Sequence, residues 1–195
     1  MFRKSLVAFA AGATLLAGCL IPEKFTAKAD IQPDGSYSAS YAGTVVHGLA
    51  AMQIAKAGRL SANDDASLKR EVDKMKRSPD VQSVSYLGNG KYELALAAKR
   101  EKGKALDLLN ILSIKTGKDG IITISSAKIE EKGKKDLSQL GIKVDGTLTV
   151  SIPRNAEVIE QNATTTPSFF GLVGTYSWKI GSVEQRPMMR IRLKG

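Results

Sequence analysis

Hydrophobic and polar positions alternate with a period of two in several stretches of this chain. Phe25, Ala27, Ala29 and Ile31 alternate with Thr26, Lys28, Asp30 and Gln32, the pattern of a strand with one buried face. In Gln32-Pro33-Asp34-Gly35 proline presets φ and glycine accepts positive φ, which predicts a turn. Alternation then resumes from Ser36 to Val46 through Tyr37, Ala39, Tyr41 and Gly43, so the two runs predict a β-hairpin. At His47 the period changes. Val45, Leu49 and Met52 fall near helical spacing in an alanine-rich run, which predicts a helix to Leu60 ended by Gly58. A second helix follows, capped by Asn63 or Asp64 and stopped by Pro79. Its apolar stripe, Leu68, Val72 and Met75, is narrow. A narrow stripe of this kind binds membranes in some helices, but on soluble helices it more often packs against a sheet, and that is the preferred reading.

Beyond Pro79 the pattern is β-rich. Val81 to Leu87 predicts a strand, Gly88-Asn89-Gly90 a hairpin turn, and Tyr92, Leu94, Leu96 and Ala98 the returning strand. Lys99 to Lys104 is a charged loop. The run from Ala105 to Thr116 fits either element, and a strand from about Asn110 is chosen because Gly117-Lys118-Asp119-Gly120 is a turn with β-rich Ile121 to Ile129 beyond it. Asp136 to Leu140 predicts one or two helical turns closed by Gly141. Leu148, Val150 and Ile152 predict a strand ended by Pro153, and Ala156 to Gln161 a short one. After the polar loop Asn162 to Ser168, Tyr176, Trp178 and Ile180 share one strand face. Met189, Ile191 and Leu193 alternate with Arg190, Arg192 and Lys194, which gives the last strand a basic outer face. Runs of strands with segregated helices predict an α+β fold: a curved, mainly antiparallel sheet with two or three helices packed on one face.

The first nineteen residues follow another rule. Arg3 and Lys4 precede an apolar run from Leu6 to Leu16, too short to span a bilayer, which needs about 20 residues. A basic start, a short apolar run and small residues at its end describe an export signal. Leu16-Ala17-Gly18-Cys19 holds the chain's one cysteine and resembles the lipobox of bacterial lipoproteins. The resemblance implies cleavage before Cys19, a diacylglyceryl thioether on it and an acylated amine. It divides the chain into a signal peptide (1–18), a lipidated tether (19–24) and one domain (25–195). Two acyl chains suffice for stable anchoring where one does not. Leu20 stands where an Asp would resemble an inner-membrane retention signal, which favours the outer membrane in an organism that has two. The tether to Phe25 spans no more than about 20 Å, so the domain is expected at the membrane surface.

Charge narrows the partners. Removing the signal leaves 27 basic and 19 acidic residues, a net charge of +8. An envelope location excludes nucleic acid and points to an anionic surface, such as phospholipid headgroups or an acidic polymer, against the alternative of a solvated basic face. With Cys19 consumed by lipid, the domain is left without a thiol and its core rests on packing alone.

A second resemblance lies near the C-terminus. Ile152-Pro153-Arg154-Asn155-Ala156-Glu157-Val158, then Asn162-Ala163, then Gly174-Thr175-Tyr176-Ser177-Trp178-Lys179-Ile180 resembles the ending of LppM-type bacterial lipoproteins, and the Asp34-Gly35-Ser36 turn is similar too. That family is similar to helix-grip proteins, so the resemblance implies a curved sheet around an apolar cavity and a lipid or lipoglycan ligand. Many members carry a C-terminal transmembrane helix, whereas this sequence ends at Gly195 on a basic strand.

Catalytic signatures are weak. A Ser-His-Asp triad would need His47, the one histidine, and Gly-x-Ser-x-Gly does not occur. Gly117-Lys118 lacks the flanking residues of a phosphate loop. Asn63-Asp64-Asp65 lacks the spaced ligands of a calcium loop and reads as a helix cap. The expectation is therefore no enzyme, no cofactor and no metal, with a hydrolase using His47 as the least favoured alternative. Leu49, Met52, Phe169, Phe170, Leu172 and Trp178 are the candidate lipid- or membrane-contacting residues. For Phe169-Phe170 a loop dipping into the bilayer or covering a cavity mouth competes with the buried start of the Trp178 strand, which is favoured. The expected function is a membrane-anchored envelope lipoprotein whose basic domain binds a lipid, glycolipid or other anionic component. The alternative is an assembly lipoprotein that docks an envelope protein through a sheet edge or the Arg190, Arg192 and Lys194 face.

Overall fold

In the computed structural model, residues 20–168 and 175–194 are described. Strands β1 (Leu20–Ile31) and β2 (Tyr37–His47) form the expected hairpin, in register from Leu20↔His47 to Ile31↔Tyr37. Gly35 takes φ 86° in the turn. Asp34 Oδ1 accepts from the Ser36 hydroxyl at 2.7 Å and the Ser36 N–H at 2.9 Å, and these bonds hold its carboxyl below the usual range.

β1 begins five residues before the expected Phe25, so residues 20–24 are strand rather than tether. Val45, Val46 and His47 offer them partners. Pro22 sits beside a bulge between Pro22 and Lys24, the kind of position where a strand tolerates a missing N–H.

Helix α1 (Gly48–Ala57) ends at Gly58 with φ 75°, as its sequence predicts. Helix α2 (Ala62–Met75) is capped by Ser61, not by Asn63 or Asp64. Asp64 stands three residues after the cap, where its N–H donates to Ser61 Oγ while its carboxylate accepts from that hydroxyl. Its stripe packs inward, with Leu68 and Met75 buried.

β3 (Val81–Gly88) and β4 (Lys91–Arg100) form the second hairpin, followed by β5 (Leu106–Leu108), β6 (Leu112–Thr116) and β7 (Ile122–Ser125). Asn110, expected to begin a strand, lies in the β5–β6 turn. Leu109 and Asn110 both take positive φ, 55° and 60°, as the central residues of a primed turn do; the Ile111 N–H donates to the Leu108 carbonyl at 3.1 Å, and Asp107 Oδ1 accepts from the Asn110 N–H at 2.8 Å. Helix α3 (Glu131–Gln139) starts five residues before its expected position. Its first turns are charged and include Gly133, which conceals them. Lys134 joins Glu131 to Glu184, each at 2.7 Å.

The chain ends with β8 (Asp145–Ser151), β9 (Ala156–Gln161), β10 (Tyr176–Ile180) and β11 (Met188–Leu193). The fold is α+β, and its strands divide into two sheets. One has the order β10-β8-β1-β2-β4-β3 and the other β5-β6-β7-β11-β9. The pairing of β1 with β8 is parallel, while the other strand pairs are antiparallel. The main core joins inward residues of both sheets, among them Tyr41, Tyr92, Leu148, Ile124 and Ile191, with Leu68 and Met75 of α2. The Tyr92 hydroxyl donates to the Leu68 carbonyl at 3.0 Å and ties sheet to helix. Burial pushes the phenols of Tyr41 and Tyr92 upward, so both stay neutral. The basic outer face of β11 is offset by β9: Arg190 lies 3.5 Å from Glu160, and Arg192 registers against Glu157.

Candidate functional site

A second, smaller hydrophobic cluster stands apart from the main core. Val46, Leu137 and Ile142 form it, with Ile21, Ile129, Leu140 and Val183 packed against them. It exists because α3 carries only a short apolar stripe, Leu137 with the following Leu140, and seats that stripe on the β1–β2 end of the first sheet. Between this cluster and the main core lies a cavity of about 650 Å³.

Both clusters supply its walls. Leu20, Leu109, Val144 and Ile180 come from the main core, and Ile21, Leu137, Leu140 and Val183 from the smaller one. The β1 start runs along one side and the β5–β6 turn along another. Gly48, Leu49 and Met52 of α1 also line it. Leu49 is 63% exposed and Met52 45%, so both sit at its rim. The charged lining residues are Lys128, Glu130 and Asp136, and Lys128 is paired with Glu130 at 3.3 Å. The lining therefore offers an apolar chain a surface and offers an anion little.

Size and lining together limit what fills this space. Pockets for small ligands run from roughly 300 to 1,000 Å³. The space opens to the surface at the exposed Leu49 and Met52. Water or an apolar chain has to occupy it.

α1 depends on its first turn. His47 Nδ1 accepts from the Ala50 N–H at 3.3 Å, so the one histidine serves as a helix cap. Ala50 is the one fully buried residue of α1, and Gly90 is glycine because an added Cβ would overlap the Ala50 methyl. With so little packing the cap is a main hold on the rim. Replacing His47 with Ala is expected to cost about 1 kcal/mol and to speed amide exchange in residues 48–52, whereas His47→Asn keeps an acceptor and most of the protection. Hydrogen exchange followed by peptide mass spectrometry checks this.

Of the residues singled out from sequence, Leu49 and Met52 line the cavity. Trp178 does not. It is 4% exposed in the main core, and its indole N–H donates to Asn162 Oδ1 at 2.8 Å. A large ring on a strand that pairs with β8 lies between the sheets rather than in the gap beyond them. Cys19, Phe169, Phe170 and Leu172 lie outside the described residues. Sequence reasoning missed Leu20, Ile21, Leu137, Leu140 and Val183. The spacing of Ile129, Leu137 and Leu140 in a charged stretch was the available signal. Among the described residues no three His, Cys, Asp or Glu side chains gather as metal ligands, and no helix is long and apolar enough to cross a membrane.

No family profile matches the sequence, and no curated protein matches it. Among solved structures, the chain is similar to the folded domain of LppM from Mycobacterium tuberculosis, determined by NMR. That likeness has 12% identity and a TM-score of 0.36, and covers 89% of this chain and 92% of that one.

Proposed function

We propose that this protein is a lipid-anchored envelope protein whose domain holds the apolar chain of an amphiphile. The observation that carries the reading is the 650 Å³ cavity, walled by apolar side chains that begin with Leu20, the residue after Cys19. An anchor at Cys19 brings the cavity to the source of its ligand, because the strand that follows the lipobox is itself a cavity wall. The apolar chain supplies the affinity, at about 0.8 kcal/mol per buried methylene. The polar head stays outside, since the lining has one cation and two carboxylates.

The test uses the lipidated protein extracted from membranes in detergent. Native mass spectrometry is expected to show the covalently acylated mass plus one further amphiphile, either co-purified or taken up from added fatty acid or phospholipid. The acylated mass alone under both conditions overturns the reading.

A further inference from the structure

We infer that the α1 rim of the cavity docks on an anionic bilayer, so that the cavity opens toward the membrane rather than toward water. This rests on the cavity reading above and adds the direction of its mouth.

Three observations support it. First, Leu49 and Met52 are two of the four large hydrophobic side chains that stand exposed among the described residues, and both lie on one short helix at the cavity rim. Spaced by three, they share a face, and Lys56 extends that face by another turn. Second, the cavity wall includes Leu20, Ile21 and Pro22, the residues that leave the lipidation motif. β1 begins at Leu20, so no slack lies between that motif and the fold. Acyl chains on Cys19 would hold this end of the domain, and not the opposite end, at the bilayer. Third, residues 47–63 contain no acid and carry Lys56 and Arg59.

The charges around this surface are compatible with it. Asp64, the nearest acid in sequence, is engaged by Ser61 and by the Gln53 amide at 2.7 Å. Glu23 is paired with Lys91 at 2.9 Å, and Glu130 with Lys128. Asp136 lines the cavity from α3, not from α1. α1 thus presents an apolar pair followed by Lys56 in its last turn and Arg59 just past its Gly58 cap, a match for acyl tails beneath anionic headgroups.

The experiment reads depth. Met52→Trp, in the lipidated protein reconstituted into phosphatidylglycerol–phosphatidylcholine vesicles with brominated acyl chains, adds emission at the rim, and the buried Trp178 serves as an internal background. The added emission is expected to be blue-shifted and quenched by the brominated chains. Lys56→Gln with Arg59→Gln should lower the ratio of inserted to non-inserted rim about fivefold for each charge removed, and pure phosphatidylcholine vesicles should lower it similarly. Added emission that is red-shifted and unquenched in anionic vesicles overturns the inference, as does quenching that ignores headgroup charge. The two proposals fail separately: quenching in a protein that never carries an extra amphiphile leaves the docking intact and removes the cavity's role.

Discussion

Replacing Gly43 with alanine is expected to lower stability by about 3 kcal/mol and to loosen the first hairpin along its length. Gly43 stands opposite Phe25 in the β1–β2 register, just past the bulge at Pro22 and Lys24. An added Cβ would overlap the Lys24 carbonyl oxygen and come within 2.7 Å of Phe25 Cα and 2.8 Å of its Cβ. Two of those three atoms are backbone, so relief requires the strands to part. Phe25 faces a second glycine on its other side, Gly146 of β8, whose added Cβ would meet the phenyl ring at 2.6 to 2.7 Å. A ring can tilt where a carbonyl cannot, although its stacking on Tyr41, with centroids 5.7 Å apart, resists the tilt. Gly146→Ala should therefore cost clearly less than Gly43→Ala. Urea unfolding of the two variants beside the parent gives the comparison, and equal midpoints for Gly43→Ala and the parent would refute the account. The consequence reaches the candidate site, because the start of β1 is a cavity wall.

The elements that sequence revealed are those whose cause is local. The Pro33-Asp34-Gly35 turn, the Gly58 stop and the β3–β4 turn at Gly88-Asn89-Gly90 rest on residues that set their own φ, and each stands where the sequence placed it. The inward stripe of α2 is a matter of spacing and was equally legible. What sequence hid depends on distant partners. Nothing near Leu148 announces that β8 runs parallel to β1, and this pairing puts Gly146 beside Phe25. Leu109 occupies a left-handed position that composition assigns to glycine or asparagine, and only the pairing of β5 with β6 explains it. The start of α3 was masked by charge. The cavity was the least legible feature, because it is a gap between two clusters and no residue encodes a gap. Leu49 and Met52, named from sequence as candidate contact residues, are the part of its rim that was legible. Trp178 was named with them, whereas its strand pairing puts it in the core.

That reassignment gives the second large effect. Trp178→Ala should destabilise the fold by about 4 kcal/mol, since it removes a fully packed indole between the sheets. The cost includes a polar part. Asn162 joins three segments: its Oδ1 accepts from the Trp178 indole and from the Met188 N–H, each at 2.8 Å, and its amide donates to the Arg186 carbonyl at 2.8 Å. Losing the indole weakens the link that holds the start of β11 to β10. Trp178→Phe keeps most of the volume and gives up one hydrogen bond, so it should cost about 1 kcal/mol plus a modest packing loss. Its effect on ligand decides the role of the residue. A core tryptophan predicts that Trp178→Phe lowers the unfolding midpoint yet leaves the extra amphiphile in native mass spectra. Leu137→Trp or Leu140→Trp, which fills the gap itself, should expel the amphiphile with a smaller change in midpoint. Loss of the amphiphile in Trp178→Phe at near-parent stability would return Trp178 to the binding site and overturn its assignment to the core.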